Sequence, residues 1–146
     1  HCPALLFLLW RGPLLDRIDI CTEISPVEYG ELTGKRENES SEAIRSRVLA
    51  AHRRQQERYQ KVGIQFNSQL TTRVIQNLCP LGTEETGIME QAFESLRLSA
   101  RGYYRIIRVA RTIADLEGSK EIRTPHLLEA VGYRTMDHNI WEEPFG

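Results

Sequence analysis

Apolar residues recur at helical spacing through most of the chain beyond residue 40. Ile44, Val48, Ala51 and Tyr59 keep one face of a 3.6-residue repeat, which predicts a long helix from about residue 42 to about residue 61. Ser40 and Ser41 supply capping oxygens ahead of it, and Glu42 puts a carboxylate in the first turn, where the helix dipole favours one. Three more helices follow. One opens at Ser68 or Thr71 ahead of Val74, Ile75 and Leu78; one opens at Thr83, with Glu84 and Glu85, ahead of Ile88, Met89, Ala92, Phe93 and Leu96; one opens at Ser99. A last helix starts at Thr124-Pro125, a capping hydroxyl before a proline whose missing N–H is harmless in the first turn, with Leu127, Leu128 and Val131 as its buried stripe.

The only β signal is residues 18–24, short and rich in β-formers, predicted as one strand ending before Pro26. Between it and the first long helix, Pro26, Gly30, Gly34 and a charge run from Lys35 to Glu39 read as an exposed connection. The expected architecture is therefore mainly α, with a domain boundary near residue 39: residues 1–39 hold the strand and the connection, and residues 40–146 form a helical bundle.

A 146-residue chain that is 40% apolar and 27% charged is ordinary for a globular protein. Its net charge of -1 excludes a uniformly basic nucleic-acid binder, although positive charge can still concentrate on one face. The predicted helix over residues 42–61 is such a place: Arg45, Arg47, Arg53, Arg54, Arg58 and Lys61 outnumber Glu42 and Glu57. The apolar run at residues 4–10 falls far short of the roughly 20 residues a membrane helix needs. No basic n-region precedes it and no small-residue cleavage site follows, so neither a signal peptide nor a membrane anchor is expected. Large apolar residues in a row bury poorly without a covering layer, and the N-terminus reads either as a cut edge, through which the isolated chain would associate, or as a hydrophobic helix packed under its own domain. Cys2, Cys21 and Cys79 form no C-x-x-C pair, so a structural zinc site is not expected.

Three segments bear on chemistry. Gly30-Glu31-Leu32-Thr33-Gly34-Lys35-Arg36 fails as a phosphate loop, because the glycines are one residue too close and Arg36 stands where a magnesium-binding hydroxyl is needed. Gly12-Pro13-Leu14-Leu15-Asp16-Arg17-Ile18-Asp19 sets one arginine between two carboxylates just before the predicted strand. From there Arg17 either reaches a phosphate on a neighbouring subunit or pairs locally with Asp16 or Asp19. The third is the helix opening at Ser99. At about 100° per residue, Arg101, Arg105, Arg108 and Arg111 fall at roughly 0°, 40°, 340° and 280°, one stripe opposite Tyr103, Ile106, Ile107, Ala110, Ile113 and Ala114. Arg101 sits in the first turn, where backbone N–H groups and the dipole favour an anion. Arg105 and Arg111 read as a solvated basic face paired with nearby acids. His52, His126 and His138 assemble no nucleophile–base constellation and read as surface or capping residues.

Together, Gly12 through Asp19, Glu39-Ser40-Ser41-Glu42-Ala43-Ile44-Arg45-Ser46-Arg47-Val48, Leu98-Ser99-Ala100-Arg101 and Tyr133-Arg134-Thr135-Met136-Asp137 resemble, in order, the C-terminal part of the magnesium-chelatase-like AAA+ ATPases. The likeness is to the bacterial competence-protein branch and covers roughly residues 12–141. The resemblance implies that residues 1–39 are the C-terminal edge of the AAA+ core and residues 40–146 its helical lid. It implies that Arg17 is an arginine finger acting on ATP held by the next subunit and that Arg101 is the sensor 2 arginine that reads the γ-phosphate. The family's phosphate-loop lysine and metal-binding acids have no counterpart here and are expected upstream, so ATP and Mg²⁺ belong to the full-length parent and this chain alone is expected to bind no cofactor and hydrolyse nothing. A cytoplasmic hexameric ring acting on DNA is implied. The alternatives are a magnesium chelatase subunit and a non-catalytic helical interaction module. Residues 1–11 depart from the family pattern, which has a polar, basic helix there.

Overall fold

The computed structural model describes residues 18–22 and 39–142, with side chains up to residue 134. Residues 4–10, Arg17, residues 30–36, most of the predicted connection and the side chain of His138 lie outside the described residues. Five α-helices follow one another: α1 Ser41–Tyr59, α2 Thr72–Leu78, α3 Thr83–Ser95, α4 Ala100–Glu117 and α5 Thr124–Glu142, with a 3-10 turn Asn67–Gln69 between α1 and α2. The architecture is mainly helical, as predicted, and no strand occurs among the described residues. Residues 18–22, expected as part of a strand, instead lie against α5, where the Cys21 N–H donates to the Tyr133 carbonyl at 3.3 Å. A strand needs a neighbouring strand to hold its alternate backbone groups, and a helix surface offers no such ladder.

Local signals set the helix starts. Ser40 Oγ accepts from the Ala43 N–H, Thr71 Oγ1 from Val74, and Ser99 Oγ from Gly102, each satisfying a donor that the first turn leaves without a helical partner. α3 runs from Thr83, as expected, with Gly82 as its N-cap and Glu84 and Glu85 in its first turn. α5 begins one residue before Pro125, because the capping groups come from elsewhere: Glu85 Oε1 accepts from the Thr124 N–H at 3.0 Å, and His126 Nδ1 accepts from the Arg123 N–H at 2.9 Å. α4 ends on Gly118 at φ 88°, with Ser119 N–H reaching back to the Ala114 carbonyl at 2.8 Å. Only a residue without Cβ takes that left-handed turn without strain.

α4 is the central element, packed on α1, α2, α5 and the 3-10 turn, while α3 packs on α5. The core gathers Tyr59, Leu70, Ile75, Met89, Ile106, Ile107, Ala110, Ile122 and Leu127, all buried. Each large aliphatic in it contributes about 1.5–3 kcal/mol over an exposed one. Leu128, expected in the α5 stripe, faces outward at 55% exposure, one residue of rotation away from the fully buried Leu127. α1 behaves differently along its length: Ala51, Gln55 and Tyr59 are buried, whereas Ile44 and Val48 on the same face are exposed. The stripe is continuous in sequence, but among the described residues the bundle lies under only the second half of the helix.

Candidate functional site

Arg101 lies on the first turn of α4, directly after the Ser99 cap, and is exposed. Among the described residues nothing pairs with its guanidinium, so the cation and the positive end of the helix dipole face solvent together. The chain enters this turn through a corner where Arg97 takes φ 47°, and Leu98 N–H closes the end of α3 onto the Phe93 carbonyl at 3.1 Å. That corner turns α4 back across the bundle and leaves its N-terminus at the surface.

One turn further on, Arg105 is buried, which corrects its expected place on a solvated face. Its side chain is 7% exposed and its Nε donates to Asp19 Oδ1 at 2.5 Å. Arg105 Nη1 is buried without a partner among the described residues. Asp19, which the sequence offered as a local partner for Arg17, is thus held by α4. Arg134 Nη1 adds a bond to the Ile18 carbonyl at 3.4 Å, so the short segment 18–22 is tied to both α4 and α5. Arg108 reaches the Ser68 carbonyl at 3.4 Å across the 3-10 turn.

Arg111 departs furthest from the expected solvated stripe: it is 1% exposed. It reaches Asp115 at 3.1 Å and donates to the carbonyls of Ser119 at 2.7 Å and Lys120 at 3.0 Å. Asp115, fully buried, also receives Arg58 from α1 through two guanidinium nitrogens and Asn67 Nδ2 at 3.0 Å. Asn67 in turn accepts from the Tyr59 hydroxyl at 2.5 Å, and Arg54 caps the end of α4 by donating to the Asp115 carbonyl at 2.9 Å. Burial alone would pull the Arg58 pKa down, but its hydrogen bonds to Asp115 and Tyr59 and the carboxylate's charge outweigh it and raise it. Burial pushes Arg111 below the ordinary arginine value against the pull of Asp115. Burial likewise pushes the Tyr59 hydroxyl up to about 12. This cluster locks α1 to the C-terminal half of α4, and the sequence reading missed it. The available signal was the Arg111/Asp115 spacing of i, i+4 beside Ala110 and Ala114, which places an ion pair on an apolar face.

His126 takes the capping role, buried at 3% exposure, with its Nε2 against Glu117 and its Nδ1 serving the α5 start. His52 packs edge-on against Phe66. Among the described residues no group of three His, Cys, Asp or Glu gathers to hold a metal ion, and no helix is long and apolar enough to cross a membrane. The residues that fit a phosphate are on α4: an exposed guanidinium in the first turn of a capped helix.

The described residues thus form a helical bundle whose central helix carries an exposed arginine in its first turn. Residues 38–134 match the family described as "Magnesium chelatase, subunit ChlI C-terminal", and the chain belongs to that family. It is 42% identical over 127 residues to the competence protein ComM of Haemophilus influenzae, covering 86% of this chain and 24% of that protein. It is 41% identical over 127 residues to YifB, an uncharacterized protein of Salmonella typhimurium, with the same coverage of 86% and 24%. The chain thus spans about a quarter of the length of these relatives.

Proposed function

We propose that this chain is the lid and core edge of a magnesium-chelatase-like AAA+ motor, with residues 40–146 as the lid and residues 1–39 as the edge of the ATPase core. The observation that carries this reading is Arg101: a charged, exposed side chain with no partner among the described residues, on the first turn of a capped helix in a member of this family. In the motor Arg101 is the sensor 2 arginine that contacts the γ-phosphate of ATP, and Arg17 is the finger that reaches ATP on the next subunit of a hexameric ring. Bound ATP with Mg²⁺ supplies the phosphoryl chemistry, and its other ligands belong to the longer protein. Such an arginine offsets charge developing on the transferred phosphoryl group, worth about 10³–10⁵ in rate at its strongest.

The substrate in this reading is DNA, remodelled in the cytoplasm during recombination. Its support is the 42% identity to a relative named a competence protein. Insertion of magnesium into a porphyrin is the second reading, favoured by the family's own description as a chelatase subunit.

ATP hydrolysis by the full-length protein, with and without branched DNA, tests both. Stimulation by DNA, with turnover lost in Arg17→Ala and Arg101→Ala while the ring still assembles, is the expected result. Turnover that depends on companion chelatase subunits favours the second reading. Turnover untouched by either substitution removes the assigned arginine roles, and absence of turnover under every condition leaves a helical interaction module.

A further inference from the structure

The Asp19–Arg105 pair has an unusual setting. Its arginine is buried at 7% exposure, its carboxylate is open at 63%, and 86 positions of chain separate them. An ion pair this open on one side adds little to stability, of the order of 0–1 kcal/mol. The Arg58–Asp115–Arg111 cluster, built on a fully buried carboxylate, already fastens α1 to α4. What the Asp19–Arg105 pair does is hold residues 18–22, from a remote part of the sequence, against α4 four positions from Arg101. Two weaker bonds assist it, Arg134 to the Ile18 carbonyl and Cys21 N–H to the Tyr133 carbonyl.

We propose that Asp19 and Arg105 form a latch, so that a shift of α4 when Arg101 engages phosphate is passed to residues 18–22, which directly follow Arg17 in the sequence. Both are positioning residues and neither touches nucleotide. The proposal rests on the roles given above to Arg17 and Arg101. Arg105 is suited to the task because it sits one helical turn from Arg101 on a rigid helix and moves with it. Arg105 Nη1, buried and without a partner among the described residues, marks the guanidinium as held by its contact to Asp19 and not by a saturated network of its own. Asp19, on an exposed stretch, gives the latch a releasable half.

The test uses the full-length protein with Asp19→Asn, Arg105→Gln and the charge exchange Asp19→Arg with Arg105→Asp. Asp19→Asn removes the exposed charge but keeps a side-chain oxygen able to accept from Arg105 Nε, and circular dichroism of each variant separates an effect on coupling from one on folding. Two readouts are taken. In ATP turnover, each single substitution is expected to lower kcat about tenfold with KM for ATP changed less than about twofold, and the exchange is expected to recover a substantial part of kcat. In hydrogen exchange, a non-hydrolysable ATP analogue is expected to change the exchange rate of the peptide spanning residues 18–22 in the wild type, and to leave it unaltered in Asp19→Asn. Single variants with wild-type kcat, no recovery in the exchange, or an analogue response that survives Asp19→Asn each overturn the latch. Arg17→Ala and Arg101→Ala run alongside keep the two ideas apart. If those two abolish turnover and the latch variants do not, the coupling alone is wrong; if those two turn over normally, the parent reading falls and the latch with it.

Discussion

At the N-terminal end of α4, Arg101 stands exposed beside a helix cap, while toward the C-terminal end of the same helix Arg111 is 1% exposed and locked to a carboxylate that water does not reach. Both arginines belong to one stripe by helical spacing. The difference comes from what lies on top: α1 packs on α4 through Tyr59, Arg58 and Arg54, all in its last turns, and covers only the far half. A stripe of like residues is therefore divided by tertiary cover into one end that holds the fold and one end exposed to solvent. Arg105 lies between these extremes, buried but turned to a partner from far away in sequence.

Removing Asp115 is the sharpest way to break this contrast. Asp115→Ala leaves Arg58 and Arg111 buried without their shared counter-charge and is expected to destabilise the chain by about 3–5 kcal/mol in urea unfolding followed by circular dichroism. A loss below about 1 kcal/mol would show that the cluster is better hydrated than its geometry indicates.

The same end has a pH signature. Burial holds the Tyr59 phenol protonated to about 12, against about 10 in an unfolded chain, so its stabilising contribution is complete below pH 10 and is lost as the pH rises from 10 towards 12. The loss is expected to reach roughly 2–3 kcal/mol at the top of that window. Tyr59→Phe lacks this slope, so its stability should approach or pass that of the wild type as the pH rises, and parallel alkaline limbs for the two proteins would refute the assignment.

Smaller effects refine the comparison. Gly118→Ala forces a Cβ into the left-handed end of α4, 3.0 Å from Arg54 Nη2, and is expected to cost about 1–2 kcal/mol in the same unfolding assay. Arg101→Ala, at the opposite end, is expected to change stability by less than about 0.5 kcal/mol. A larger loss there would mean that Arg101 has a structural partner and is not held in reserve for a ligand.

Several elements could be read directly from residue order. The caps at Ser40, Thr71 and Ser99 work within three residues of themselves, so their signal is complete in the sequence, and the helices they open begin where the caps place them. The capping of α5 was only half visible, because Glu85, which receives Thr124, comes from α3. Of the two site arginines, Arg101 could be located because a helix N-terminus is a local object, and the structure leaves it exposed; Arg17 lies outside the described residues. The burial of Arg105 was not legible, and that of Arg111 showed only through its i, i+4 spacing to Asp115. Periodicity gives the angle of a side chain around its own helix, and at that angle a guanidinium looks the same whether water or another helix stands opposite.

By itself the sequence determined the helical class, the helix starts, the family and the position of one exposed arginine, since each depends on short-range backbone chemistry or on the order of short motifs along one chain. Tertiary structure alone decided which arginines are anchors, that Asp115 is the hub of the bundle, and that Asp19 belongs to α4. Those outcomes depend on desolvation, and desolvation is set by whichever distant segment comes to cover a charge.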